Sequence, residues 1–272
     1  MNRIRNEVYP ELDSVLEQFV GGVEHALQGN FVGAYLVGSL ATGDFDLDSD
    51  IDFLIVIKEE LTPDRLQALG AIHRNTHVLG SYPAKHLEGS YISLALLNRT
   101  DLVGVEPLWY VDNGSTLLER SVHDNQWHVR WVLRERGIVL CGRQPNTLFA
   151  AAPAEALRAE VIVAIPNLKD KFLADIQQPS GWFSMQFGQS FAVLTCCRML
   201  HTIQTGEVQS KLAGMQWALQ TLDPKWHELI QNAWTERVGV RFGEKVRQPA
   251  DKKVVQEAAA FLEYAAASVE KR

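Results

Sequence analysis

Long apolar runs are missing from this chain. No stretch approaches the roughly 18 uninterrupted apolar residues that a membrane-spanning helix needs, and residues 1–7 lack the apolar core of a secretion signal. A cytoplasmic protein with no membrane partner is therefore expected. Cysteine is scarce: Cys141, Cys196 and Cys197 include an adjacent pair but no metal-type spacing. That excludes a disulfide framework or a cysteine zinc site, and the three read as small buried hydrophobes in a reducing cytosol. Positive charge is also in deficit, with 26 Lys and Arg against 33 Asp and Glu and a formal net charge of −7. Such a balance argues against wrapping a nucleic-acid backbone and is compatible with a cationic small-molecule substrate, although it also serves plain solubility. Low-complexity tracts and internal repeats are absent too. What is present is an apolar fraction of 46% over 272 residues, enough for one large core or two smaller ones.

The most informative stretch runs from Gly38 to Asp52. It follows the apolar segment Ala34-Tyr35-Leu36-Val37 and leads into Phe53-Leu54-Ile55-Val56-Ile57, which reads as strand, tight turn, acidic connection, strand. Asp50 and Asp52 are two apart, so on an extended strand both carboxylates project from one face. Two carboxylates held so close repel unless a cation lies between them, and such pairs suit Mg²⁺ bound to substrate phosphates. Gly38 allows close approach of the backbone to a ligand, and the Ser39 hydroxyl and nearby amides can donate to phosphate oxygens. A phosphate cradle beside a metal-binding pair points to phosphoryl or nucleotidyl transfer. Asp44, Asp46 and Asp48 read as solvated loop charges.

Apolar spacing predicts a helix over 10–28, and a proline at the first turn predicts another over 63–75. A third strand is expected near Tyr91–Leu97, a helix carrying Trp127 and Trp131 over 117–136, and a closing strand over 138–142. Beyond about residue 150 the pattern is helical throughout, over 154–177, 183–204, 209–221, 224–237 and 251–270, with breaks at Pro179-Ser180-Gly181, Thr205-Gly206 and Asp223-Pro224. Phe183, Phe187, Phe191 and Leu194 recur at helical spacing and should face a core. The expected architecture is α+β: a mixed β-sheet with helices over 1–150, then an all-helical bundle over 151–272.

Nucleotidyl transfer to a hydroxyl also needs a base for the attacking oxygen and cations for the phosphates. Glu88, in His86-Leu87-Glu88-Gly89-Ser90, sits at the start of the third strand and is the candidate base, although a glutamate there is ordinarily solvent-exposed. Lys211 is, on its own, an ordinary early-helix lysine. Trp127 and Trp131 read as core aromatics, His86 as a surface residue that could tune Glu88, Arg134 and Arg136 as solvated charges, and Trp217 and Trp234 as packing.

The pattern Gly-Ser-x3-Gly-x5-Ser-Asp-x-Asp between two apolar strands resembles the defining motif of the DNA polymerase β-like nucleotidyltransferase superfamily. The resemblance extends to both halves of the chain. Leu87-Glu88, Leu194-Thr195, Arg198, Thr205-Gly206-Glu207-Val208, Lys211 and Trp217-Ala218 are similar to the aminoglycoside 3″-adenylyltransferase (streptomycin/spectinomycin adenylyltransferase) family. That resemblance implies ATP as co-substrate with Mg²⁺, Gly38 and Ser39 at the nucleotide, Asp50, Asp52 and Glu88 at the metal, and Glu88 as base. It further implies Lys211 at the phosphates, Trp182 and Trp109 on the acceptor side, and helices that close the cleft. There is a departure. The family holds its cationic drug with acidic residues after the tryptophan, whereas Ser184-Met185-Gln186-Phe187-Gly188-Gln189-Ser190 has no carboxylate. Each lost charge-assisted contact would cost roughly 1.5–3 kcal/mol. The nearest acids in sequence are Asp170 and Asp175.

The expectation is a monomeric, Mg-dependent enzyme transferring AMP from ATP to a hydroxyl of a small polar acceptor, streptomycin or spectinomycin first. Two alternatives stand beside it. One is the same chemistry on a metabolite or protein hydroxyl; the other is a non-catalytic nucleotide sensor.

Overall fold

The computed structural model describes residues 8–47, 49–178, 180–237 and 248–270. The expected surface charge at Asp48, the break at Pro179 and the opening residues 1–7 lie outside the described residues. The chain forms two units: one holds the residues up to Gly43 and Ser49–Ala152, the other holds the residues from Pro153 onward and the loop that begins at Asp44.

The first unit is built on a six-stranded sheet with strands β1 (Phe31–Leu36), β2 (Ile51–Ile57), β3 (Leu87–Ser93), β4 (Leu108–Val111), β5 (Glu119–Ser121) and β6 (Ile138–Gly142), in the order β5-β4-β3-β2-β1-β6. β2 and β3 run parallel and all other neighbours antiparallel, so the sheet is mixed. Helix α1 (Leu12–Leu27) places Leu12, Val15, Leu16, Phe19, Val20, Val23 and Leu27 on one buried stripe, the 3.6-residue repeat its sequence predicts. Between β1 and β2 the chain makes a single helical turn, α2 (Gly38–Thr42), which Gly43 ends in the left-handed conformation at φ 84°. Helix α3 (Pro63–His77) starts where Thr62 caps the amide of Arg65 at 3.4 Å. On one sheet face, Phe53 of β2 and Tyr91 of β3 pack with Phe19 and with the buried His73 of α3.

Two expectations are corrected here. The third strand is Leu87–Ser93 and not Tyr91–Leu97, because the Ser93 hydroxyl caps the amide of Leu96 at 3.3 Å and turns Leu94–Leu97 into helix. The helix expected over 117–136 begins only at Trp127, forming α4 (Trp127–Arg136). Its first part is β5 and a turn, fixed by the fully buried Asn125, whose amide donates to Leu102 O and Glu106 O at 2.8 Å each. Trp127 and Trp131 are half-buried, with Arg130 and Arg136 over their rings at 6.0 and 5.8 Å, so they are not the core aromatics that their spacing suggested.

The second unit comprises α5 (Ala154–Asp175), α6 (Gln186–Thr205), α7 (Lys211–Thr221), α8 (His227–Arg237) and α9 (Lys252–Val269). Its core joins Phe172, Phe183, Leu194, Ile230, Phe261 and Leu262 with both members of the cysteine pair. Cys196 and Cys197 are fully buried, and burial pushes the Cys196 thiol up to about 12, which makes them inert hydrophobes. Cys141 differs: it is only half-buried, on β6. No helix of the described residues is long and apolar enough to cross a membrane.

Candidate active site

Strand parity builds the site. In the parallel pair β2–β3, Asp52 lies opposite Glu88, and the next pair, Phe53 and Gly89, belongs to the other face. Asp50 precedes β2, held in line because Ile51 N donates to His86 O at 2.9 Å. One oxygen from each of Asp50, Asp52 and Glu88 comes within 4.8 Å of the others. The turn at Gly38 closes over this group. Its φ is 54°, and a Cβ there would overlap the Asp52 carboxylate, so this position requires glycine for both reasons. Next to it, the Ser39 hydroxyl is buried with no hydrogen-bond partner among the described residues. A donor left in that state beside a carboxylate group suits an incoming phosphate oxygen.

Glu88 is only 9% exposed. Burial first, and the Asp50 charge second, push its carboxyl up to about 9. With three carboxylates and no cation, one of them is thus driven to the neutral form; a divalent cation with oxygen preference would relieve that repulsion. The donor set is therefore one that Mg²⁺ fits.

Around the group lies a shell that motif reading missed. Tyr110 of β4 donates its hydroxyl to Glu88 Oε1 at 2.5 Å and approaches Asp112 Oδ1 at 2.9 Å. His123 Nε2 stands 3.4 Å from the same Glu88 oxygen. Asn113 donates through Nδ2 to Asp50 Oδ2 at 3.4 Å, and its Oδ1 accepts from His86 Nδ1 at 2.7 Å, while Tyr82 stacks on the His86 ring at 4.0 Å. His86 therefore acts toward Asp50 through Asn113, and among the described residues no hydrogen bond joins it to Glu88. Ser90 donates to the buried Asp124 at 2.7 Å, and burial raises that carboxyl.

The remaining candidates belong to other elements. Trp109 pairs with Tyr91 and Arg120 across β3–β4–β5, on the face opposite Tyr110, with the Arg120 guanidinium 5.3 Å from its ring. The structure does not bring it to the carboxylates. Trp182 and Lys211 belong to the helical unit. Trp182 packs edge-on against Phe183, Phe187 and Phe191, and Lys211 Nζ lies 5.2 Å from the centre of the Phe191 ring.

Two of the acidic loop residues are not solvated charges. Asp44 accepts from the amide of Leu212 at 2.9 Å, in the first turn of α7. Asp46 pairs with Arg237 at 3.2 Å, and that arginine is buried. The segment after Trp182, devoid of carboxylates in sequence, receives two in space. Asp175 Oδ2 accepts from Phe183 N at 2.6 Å, and Glu236 Oε2 accepts from the Ser190 hydroxyl at 2.9 Å.

A mixed sheet with paired aspartates on one strand, a third carboxylate on its parallel neighbour and a Gly-Ser turn against them defines a nucleotidyltransferase. Residues 17–99 match the nucleotidyltransferase domain model, and residues 147–267 match that of the aminoglycoside adenylyltransferase C-terminal domain. The chain belongs to the aminoglycoside adenylyltransferase family of the nucleotidyltransferase superfamily, and it is an adenylyltransferase. Among its relatives, a spectinomycin 9-adenylyltransferase of Campylobacter jejuni is 24% identical over 235 residues, covering 82% of this chain and 84% of the relative. A spectinomycin 9-adenylyltransferase of Staphylococcus aureus is 23% identical over 224 residues, 75% of this chain and 76% of its own. In fold, the chain is similar to a spectinomycin adenyltransferase from Enterococcus faecialis, crystallised with ATP and spectinomycin. The TM-score is 0.69 at 16% identity, covering 93% of this chain and 98% of that one.

Proposed function

We propose that the protein transfers AMP from ATP to a hydroxyl of an aminocyclitol or aminoglycoside, with spectinomycin as the first acceptor to test and streptomycin the second. The observation that carries this reading is the convergence of Asp50, Asp52 and Glu88 beside a buried, unpartnered Ser39 hydroxyl. Family membership supports adenylyl transfer, and the names of the relatives support spectinomycin. ATP as co-substrate is supported by the nucleotide in the related crystal structure.

The chemistry follows from the residues. Ser39 and the amides around Gly38 receive phosphate oxygens. Asp50, Asp52 and Glu88 would hold Mg²⁺, which neutralises phosphate charge when bound. Glu88 takes the proton of the acceptor hydroxyl as that oxygen forms a bond to the α-phosphorus. The bond from the α-phosphorus to the bridging oxygen breaks, and pyrophosphate leaves with the electron pair. Lys211 as a phosphate contact and Trp182 as an acceptor contact are supported by the resemblance alone. Trp109 does not keep its proposed role, given its place on the opposite face. Asp175 and Glu236 supply the carboxylates that a cationic acceptor requires near the segment following Trp182. A monomer in the cytoplasm that does not bind nucleic acid completes the reading, supported by the net charge of −7 and by the small size of the acceptors named for the relatives.

The test is pyrophosphate release from Mg-ATP with spectinomycin, with streptomycin and with no acceptor, combined with mass analysis of the drug. A mass gain of one AMP on either drug is the expected result. Pyrophosphate release with neither drug, alongside intact ATP binding, would move the acceptor to another metabolite or to a protein hydroxyl.

A further inference from the structure

We propose that Tyr110 is a positioning residue for Glu88, fixing the plane of the carboxylate that serves as third oxygen donor and base. The inference rests on the reading of Glu88 given above. A glutamate carboxyl turns freely about its last bond, because that torsion joins tetrahedral to planar carbon and has no sharp minima. On a strand, Glu88 can be aimed by backbone geometry only as far as its Cβ. Something beyond the backbone must choose the orientation of the two oxygens.

Tyr110 is placed to do so. Ser90 and Tyr110 are opposite one another in the antiparallel β3–β4 ladder, and Glu88 is two residues from Ser90 on the same face. Tyr110 therefore reaches Glu88 diagonally, a distance that a long aromatic side chain spans. Tyr110 is 5% exposed, and its hydroxyl ends 2.5 Å from Oε1. The same hydroxyl is 2.9 Å from Asp112 Oδ1, which already accepts the backbone amide of Asn113 at 3.0 Å. Glu88 is the closer acceptor, and Asp112 with its own amide partner backs the phenol from behind. The rival for this role is His123, 3.4 Å from the same oxygen; its side chain is 59% exposed, and an exposed contact of that length orients little.

Groups that hold a metal ligand from behind typically contribute ten- to a hundredfold in metal affinity or activity. The experiment is a double-mutant cycle on the full chain, with Mn²⁺ as the probe ion and electron spin resonance of free Mn²⁺ as the readout. It compares native protein, Tyr110→Phe, Glu88→Gln and the double variant. Phenylalanine keeps the ring and its packing, and circular dichroism confirms the fold of each protein. Tyr110→Phe is expected to weaken Mn²⁺ binding about tenfold in the native background, and to have no effect once Glu88 is glutamine. An equal loss in both backgrounds would show a general disturbance of the sheet edge and overturn the proposal; so would no loss at all, or no saturable Mn²⁺ binding to the native protein. His123→Ala reproducing the effect of Tyr110→Phe would hand the role to His123 and likewise overturn it.

Kinetics provide the second arm. With Mg-ATP and spectinomycin, Tyr110→Phe should lower kcat about tenfold and leave the KM for ATP near its native value. A native enzyme that transfers AMP while Tyr110→Phe retains full kcat would remove the positioning role and leave the function standing. A complete Mn²⁺ cycle in a protein that adenylylates neither drug would do the reverse.

Discussion

At the scale of single residues, the site is a problem in charge. Three carboxylates meet, Asp50 and Asp52 half-buried and Glu88 buried, and the cost appears on Glu88, pushed up to about 9 when no cation is bound. Replacing Glu88 with glutamine keeps the volume and removes the proton acceptor. Loss of a general base typically costs 10²- to 10⁴-fold in rate, so Glu88→Gln should lower kcat by about that factor while ATP still binds in calorimetry. Unchanged kcat would remove the base assignment. Gly38→Ala should be just as damaging for a different reason: the methyl group would overlap the Asp52 carboxylate at a positive φ. The expected result is loss of both Mn²⁺ binding and transfer, and an alanine variant that binds Mn²⁺ normally would contradict it. Asp50, Asp52 and Glu88 could be found by reading because spacing of two and the start of a strand are local properties. Tyr110 and Asn113 could not, since they reach the carboxylates through strand register, which depends on how β3 and β4 pair and on no spacing within either.

Elements were legible where one face is buried and hidden where partners are far apart in sequence. The stripe of α1 and the proline start of α3 were written in short-range periodicity. The residues before Trp127 were harder, because Asn125 fixes that turn by reaching back to Leu102 and Glu106. The acidic loop was misread for the same cause. Asp46 and Arg237 are 191 positions apart, so nothing near Asp46 announces a partner. Two consequences can be measured. Asp44→Ala exposes the Leu212 amide in the first turn of α7 without its acceptor, and should cost about 1 kcal/mol in urea unfolding. Asp46→Ala leaves a buried guanidinium unpaired. Breaking a fully buried pair costs about 3–5 kcal/mol, and because Asp46 is 32% exposed, about half of that is the reasonable expectation. Replacing both partners at once, as Asp46→Leu with Arg237→Met, should recover most of the loss, since no buried charge then lacks a counterion. A double variant less stable than Asp46→Ala would show that the ion pair is not what ties this loop down.

On the scale of the whole molecule, one buried group ties the stability of the sheet unit to pH. His73 lies between Phe19, Phe53 and Tyr91, and its Nε2 is 2.9 Å from the Tyr91 hydroxyl. Burial lowers its pKa to about 4 and raises that of Tyr91, so both side chains are neutral in the fold at pH 7. An unfolded histidine binds its proton at about 6.5. Between those two values the unfolded chain carries a proton that the folded chain refuses, so stability rises with pH across that window. The contribution is complete above about 6.5 and lost as the pH falls toward 4, and the span corresponds to about 3 kcal/mol. The cleanest measurement is the difference between native protein and His73→Phe in urea unfolding, because the other titrating groups are common to both. The variant loses the bond to Tyr91 and should start less stable by a constant amount above pH 6.5. As the pH drops, the native protein should give up its advantage and the two curves should converge or cross before pH 4. Parallel curves down to pH 4 would mean that His73 takes up its proton inside the fold, and that water or a counter-charge reaches a core the aromatic rings were thought to seal.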